Sequence, residues 1–262
     1  LISKMSHFTN QKLENLEVKI IGKKIIVLEE IESTNDEIKK HLKEDEGLVI
    51  VANSQTSGRG RLGRNWHSPK GTGIYFSALI NPKIEPELFP PITLAAGLAT
   101  VLTLQNFSTS PPYLKWPNDI LINGKKVSGI LCELCENDPF SVIIGIGINV
   151  NQEIEHFSEP LKKTATSLLL ENGTEVDREE LIISLITSLD KVYGDFLENG
   201  PQTIAEQWAR HTDLFGKKIT LVRGGIVYTG TALRLTEEGK LEITSSEGES
   251  LLFDSGEVAH IG

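Results

Sequence analysis

The chain has 262 residues, two cysteines and a formal net charge of −10, with 39% hydrophobic and 24% charged residues. One large domain, or a large one with a small appendage, fits that length, and roughly 70–75% of the unfolded surface can be buried on folding. The acidity disfavours nucleic acid and anionic membranes as partners over most of the surface, no apolar run is long enough to span a bilayer, and charges scattered through residues 1–19 break up any secretory apolar core, so a reducing cytoplasm is the expected address.

Residues 1–20 read as an N-terminal extension, too short for a winged helix domain, so operator binding is not expected. A β-branched run at 24–28 predicts a strand. A polar helix follows it, with Thr34 and Glu37 spaced as a capping box and Ile38 and Leu42 on one face. Residues 48–52 and 73–80 read as buried strands flanking a glycine-rich basic loop. Pro90 and Pro91 open an alanine-rich core helix over 92–104. Strands are expected around 113–116, 120–122, 127–134 and 140–150, with Asn123-Gly124 as a hairpin turn because both residues tolerate positive φ. Leucines, isoleucines and aromatics at helical spacing make 178–197 the clearest helix, and a second runs over 203–211. Beyond Gly216, short strands at 219–222, 226–235, 241–244 and 251–253 between glycine turns predict a small β-barrel. The expected fold is therefore α/β (α+β), a mixed or antiparallel central sheet with packed helices and a small barrel at the end.

Three segments carry candidate chemistry. From Gly47 through Ile84 there is no Asp or Glu, while Arg59, Arg61, Arg64, Lys70 and Lys83 are all cationic. Within this stretch, Gly58-Arg59-Gly60-Arg61-Leu62-Gly63-Arg64-Asn65-Trp66 joins glycines that let backbone N–H groups approach an anion to guanidiniums that can grip phosphate or carboxylate. It has neither Walker A nor Rossmann spacing, and taken alone it reads equally as a flexible surface loop. In Lys115-Trp116-Pro117-Asn118-Asp119, Asn118 and Asp119 can present oxygens to Mg²⁺ or donors to a nucleotide, and the Trp argues for a pocket that covers it. Gly145-Ile146-Gly147-Ile148-Asn149 is a strand whose glycines mark close approach of a ligand or of another backbone. Cys132 and Cys135 form a C-x-x-C in a strand, where residues three apart face opposite sides, so neither a redox nor a metal role is expected.

Together, and in this order, these segments resemble biotin protein ligases. The likeness adds Ser68-Pro69-Lys70-Gly71, Lys126-Val127-Ser128-Gly129-Ile130-Leu131 with Glu133, and Gly256-Glu257-Val258. It implies a sheet of the class II aminoacyl-tRNA synthetase and biotin ligase kind over residues 21–213, and an SH3-like barrel over 214–262. The implied activity is formation of biotinyl-5′-AMP from biotin and ATP with Mg²⁺, followed by transfer to a lysine of a biotin carboxyl carrier protein domain. A homodimer stays open. By resemblance, Ser33, Thr34, Asn35, Gln55, Gly58, Gly129 and Gly147 would form the biotin pocket, and Arg59, Arg61 and Lys126 would both bind biotin and serve the reaction itself. Arg64, Trp66, Asn118, Asp119 and Asn149 would join Arg61 and Lys126 at ATP, with Asp119 on the metal. The residue types suit that chemistry, because attack of a carboxylate on an α-phosphate brings two anions together and cations must offset their repulsion. A lipoate-type ligase and a non-enzymatic DNA-binding regulator are the rival readings.

Overall fold

Strict alternation of side chains along the strands organises the structure, a computed structural model that describes residues 13, 16–42, 44, 46–83, 89–135 and 138–261. The expected N-terminal extension falls largely outside the described residues. Seven strands form one sheet: β1 (Lys24–Ile31), β2 (Leu48–Gln55), β3 (Gly73–Ile80), β4 (Tyr113–Lys115), β5 (Asp119–Ile122), β6 (Lys125–Cys135) and β7 (Asp138–Asn149), in the spatial order β1-β2-β3-β7-β6-β5-β4. Only β1 and β2 run parallel, so the sheet is mixed as the sequence implied. On one face Val49, Val51, Ile74, Phe76, Ile130, Ile144, Ile146 and Ile148 enter the main core. Residues of the other register, among them Leu48, Ile50, Leu79 and Ile143, form a smaller cluster on the opposite face beneath Ile38. Cys132 packs against the first cluster and Cys135 belongs to the second, so the two thiols do face opposite sides.

The short helix α1 (Thr34–Lys39) covers the smaller cluster. Its expected capping box is absent: Ser33 is the cap residue, with extended φ and ψ of −156° and 133° and no side-chain cap bond. The Thr34 N–H is instead satisfied by Gln55 Oε1 at 2.8 Å, a partner on β2 that local spacing cannot reveal. On the main-core face lie α2 (Phe89–Leu104), α5 (Arg178–Asn199) and α6 (Pro201–Ala209), with the short helices α3 (Glu159–Lys162) and α4 (Leu168–Asn172) between the sheet and α5 in sequence. Nearly every side of α2 is buried, because it is packed between the sheet, α5 and α6. The turn at Gly239 meets it too, where a Cβ would lie 3.0 Å from Leu94 Cδ1.

Strand ends moved where the tertiary context extends pairing. The first strand continues from its expected end to Ile31, and the second to Gln55, because each ladders onto the other beyond the apolar stretch. The strand expected over 113–116 stops at Lys115, and Trp116 turns into the core at 1% exposure. The main core is the pocket that covers this Trp. Asn123 and Gly124, at φ 49° and 78°, make the hairpin turn between β5 and β6 that their sequence predicts. The last five strands, β8 (Lys218–Arg223), β9 (Ile226–Leu235), β10 (Leu241–Thr244), β11 (Ser250–Phe253) and β12 (Glu257–Ile261), form an antiparallel sheet in the order β11-β10-β9-β8-β12, as an SH3-like barrel requires. Its Ile219, Leu221, Ile243 and Val258 join the same core cluster as α2.

One buried carboxylate ties the start of the described chain to this framework. Asp190 on α5, 8% exposed, accepts from the N–H groups of Lys19, Ile20 and Ile21 at 2.7–2.8 Å. Asp190→Ala leaves those donors without an acceptor and is expected to lower unfolding stability by about 2–3 kcal/mol in a urea titration.

Candidate active site

The pocket lies on the face of the sheet that carries α1, and its floor is made by residues lacking side chains. Gly129 on β6 and Gly147 on β7 are direct cross-strand partners. The Trp66 indole lies over both, so near that a Cβ on Gly147 would be 2.4 Å from the ring and one on Gly129 3.2 Å. Two residues along, Gly145 leaves room for Asn35, whose Oδ1 would be 2.3 Å from any Cβ there. Ser77, opposite Gly145 on β3, donates its hydroxyl bond to Asn35 Oδ1 at 2.6 Å or to Thr34 Oγ1 at 2.7 Å. The free volume of the cleft is only about 50 Å³, because the Trp66 indole occupies the space over the glycines. Its wall includes Tyr75, whose phenol burial pushes up to about 12, so the hydroxyl stays protonated and donates to the Pro69 carbonyl at 2.8 Å.

The glycine-rich loop forms the opposite wall. It closes on itself through Gly60 N–H to Arg64 O and Trp66 N–H to Gly58 O, with Leu62 at φ 56° in a single turn of 3₁₀ helix at Arg61–Gly63. Each cation around the cleft has a partner from another element. Arg59 Nη2 reaches Glu133 Oε2 at 2.6 Å and Asp36 Oδ1 at 2.9 Å. Arg61 Nη1 donates to Asn118 Oδ1 at 2.7 Å. Arg64 binds Glu257 of the barrel at 2.6 Å and thereby holds that carboxyl below the usual glutamate range. Lys126 Nζ lies 2.6 Å from Asp119 Oδ1, an ion-pair distance without hydrogen-bond angles, and 5.4 Å from the Trp66 ring centroid. Burial lowers the Arg61 pKa, opposed by the charges of Asp119 and Glu257, yet a guanidinium keeps its proton. A half-desolvated cation opposite an uncharged amide is a strong draw for an anion.

The profile of the biotin/lipoate A/B protein ligase family matches residues 27–149. Over 260 residues the chain is 35% identical to the bifunctional ligase/repressor BirA of Bacillus spizizenii, spanning 97% of this chain and 80% of that protein. The chain belongs to the biotin protein ligase family. The biotin–[acetyl-CoA-carboxylase] ligase of Mycobacterium tuberculosis is 31% identical over 220 residues, covering 82% of this chain and 80% of that one. Among solved structures, the biotin protein ligase of Aquifex aeolicus in complex with biotin and ATP superposes with a TM-score of 0.80 at 35% identity, over 90% of this chain and 98% of that chain.

Of the residues that likeness to biotin protein ligases singled out, Ser33, Thr34, Asn35, Gln55, Arg59, Arg61, Trp66, Asn118, Lys126, Gly129 and Gly147 line one cleft. Gly58 does not line it. A Cβ there would strike Trp66 O at 2.5 Å and Ser68 Oγ at 2.7 Å, so this glycine serves the packing of the loop. Asn149 also stands back from the lining: buried at 5% exposure, it donates to the Thr166 carbonyl at 2.9 Å and accepts from Gln152. Arg64 faces the barrel, and Asp119 sits behind Lys126. Asn35 spends its amide on Ser77 and Glu133, which makes it a support for the wall. Sequence reasoning passed over Ser77, Tyr75 and Asp36, flagged Gly145 only as a close approach, and quoted Glu133 and Glu257 among the motifs without giving them partners. Alternation along β3, β6 and β7 could have put Ser77, Gly145 and Glu133 on the pocket face, whereas Glu257 comes from more than a hundred residues away.

Two glycines test the close approach. Gly145→Ala places a methyl against the buried Asn35 amide and is expected to cost about 1–3 kcal/mol of stability. Gly194→Ala, in α5 with nothing within 4 Å of the new methyl, is expected to gain about 0.5–1 kcal/mol. Urea unfolding of the two variants side by side reads the contrast.

Proposed function

We propose that this ligase activates biotin with ATP as biotinyl-5′-AMP and passes the acyl group to a lysine of a biotin carboxyl carrier protein domain. The observation that carries the reading is the ring of Arg59, Arg61 and Lys126 above a glycine floor, in a fold that superposes on a ligase crystallised with biotin and ATP. Biotin lies over Gly129 and Gly147 when the Trp66 indole yields that space, with Thr34 and Gln55 at its head group. A carboxylate oxygen attacks the α-phosphorus in line, the new P–O bond forms as the bond to pyrophosphate breaks, and Arg61 and Lys126 offset the charge that gathers there. The deprotonated amine of the acceptor lysine then attacks the acyl carbon, and AMP leaves with the bridging oxygen. No protein nucleophile is required. Closure of the loop excludes water from the mixed anhydride.

Mg²⁺ would neutralise phosphate charge. Among the described residues no group of three or more His, Cys, Asp or Glu is placed to hold a metal, so the fit is to an ion that arrives on ATP and meets the single carboxylate of Asp119. We assign the catalytic unit to residues 21–213 and the barrel to 214–262, with Arg64 and Glu257 joining them. Asn149 fits a structural support of the adenine end better than a direct contact. Two cysteines without a disulfide between them and the ATP requirement suit the cytoplasm. The acidity argues against a nucleic acid partner, and a gel shift at physiological salt with retained double-stranded DNA would refute that.

Incubation with ATP, Mg²⁺ and biotin, followed by native mass spectrometry, is expected to show bound biotinyl-5′-AMP. Tight lipoate binding with no heat from biotin in calorimetry would overturn the biotin assignment. Lys126→Ala and Arg61→Ala are each expected to slow biotin-dependent pyrophosphate release about 100-fold or more while the melting temperature changes little. Lys126 and Arg61 lie on the cleft wall, not in the core.

A further inference from the structure

Arginine has four rotatable side-chain bonds, so a guanidinium that must meet a small anion needs something to aim it. In Arg59 one nitrogen is fully engaged: Nη2 lies 2.6 Å from Glu133 Oε2 and 2.9 Å from Asp36 Oδ1. Its Nε is buried and has no partner among the described residues, although the side chain as a whole is 35% exposed and lines the cleft. A buried N–H left without an acceptor costs free energy that a ligand atom can return.

Glu133 is itself held from below. Its Oε2 accepts from Asn35 Nδ2 at 2.7 Å. Asn35, 4% exposed, is kept in place by the Ser77 hydroxyl on Oδ1 at 2.6 Å and by the missing side chain at Gly145. A continuous line of contacts therefore runs from the sheet floor through Asn35 and Glu133 to the tip of Arg59. An ordinary surface ion pair contributes little, since both partners move and water screens them. Here the carboxylate is 22% exposed and is oriented by a buried amide, so it can fix a direction as well as a charge.

We propose that Glu133, with Asp36 sharing Nη2, is the positioning residue for Arg59: it ties one outer nitrogen and leaves the exposed part of the guanidinium to meet the carboxylate of the bound acid. The identity of that acid rests on the biotin ligase reading above. Glu133 does not touch substrate in this scheme and acts only through the guanidinium.

The test is Glu133→Gln alone and combined with Arg59→Ala, with Asp36→Asn as a second variant on an exposed helix position. Loss of a charge-assisted bond is expected to raise KM for biotin about 10-fold in Glu133→Gln, with KM for ATP unchanged, and about 3-fold in Asp36→Asn. In the Arg59→Ala background Glu133→Gln should add less than about 2-fold, because non-additivity is the mark of residues that act through one another. A readout free of turnover accompanies these: trypsin should cut ligand-free Glu133→Gln at Arg59 several times faster than the wild type. Multiplying costs in the double variant, or an unchanged biotin KM together with unchanged trypsin cleavage, overturns the proposal. If the wild type releases no pyrophosphate with biotin, the ligase reading falls, and cleavage at Arg59 still decides whether Glu133 anchors it.

Discussion

Everything around the cleft follows from the cost of gathering cations on one side of an acidic protein. Arg59, Arg61, Arg64 and Lys126 would repel one another by on the order of 1 kcal/mol per close pair even under strong screening. Each is met by an internal oxygen: Glu133 and Asp36, Asn118, Glu257, and Asp119. Those partners come from α1, β6, the β4–β5 turn, β5 and the barrel, so the loop can hold its shape only where all of these elements converge. Held by these partners, the positive charges are oriented before any anion arrives.

Alternation along the strands makes room for that convergence. Because Ile144, Ile146 and Ile148 all point into the main core, Gly145 and Gly147 must point at the cleft. The same register that stabilises the sheet therefore exposes bare backbone where a flat ligand, or the Trp66 indole, can lie. Small α1 works within this arrangement. It is too short to contribute much packing, and, with Ser33 before it, it places Thr34 and Asn35 buried in the cleft wall while Gln55 satisfies its first N–H.

Among the described residues the barrel meets the glycine-rich loop through the Arg64–Glu257 ion pair, and it shares the core below it. With Ile219, Leu221 and Val258 continuous with the packing of α2, the position of Glu257 opposite Arg64 is set by buried apolar contacts and not by the exposed pair itself.

The sequence by itself determined the mixed sheet with its helices, the hairpin at Asn123-Gly124, the terminal barrel and a local cluster of cations, since each depends on periodicity, on turn residues or on a run of charge within a few tens of residues. It also contained the ordered motifs that mark the family. It could not place the capping box, because the Thr34 N–H found a better acceptor on another strand. It expected a pocket or ligand to cover Trp116, whereas the main core covers its ring. Nor could it sort the motif residues into those that face the cleft and those that hold others in place, such as Gly58, Asn35 and Asn149. Such roles depend on which atoms lie within about 3 Å after the chain has closed on itself, and only the tertiary structure decides that.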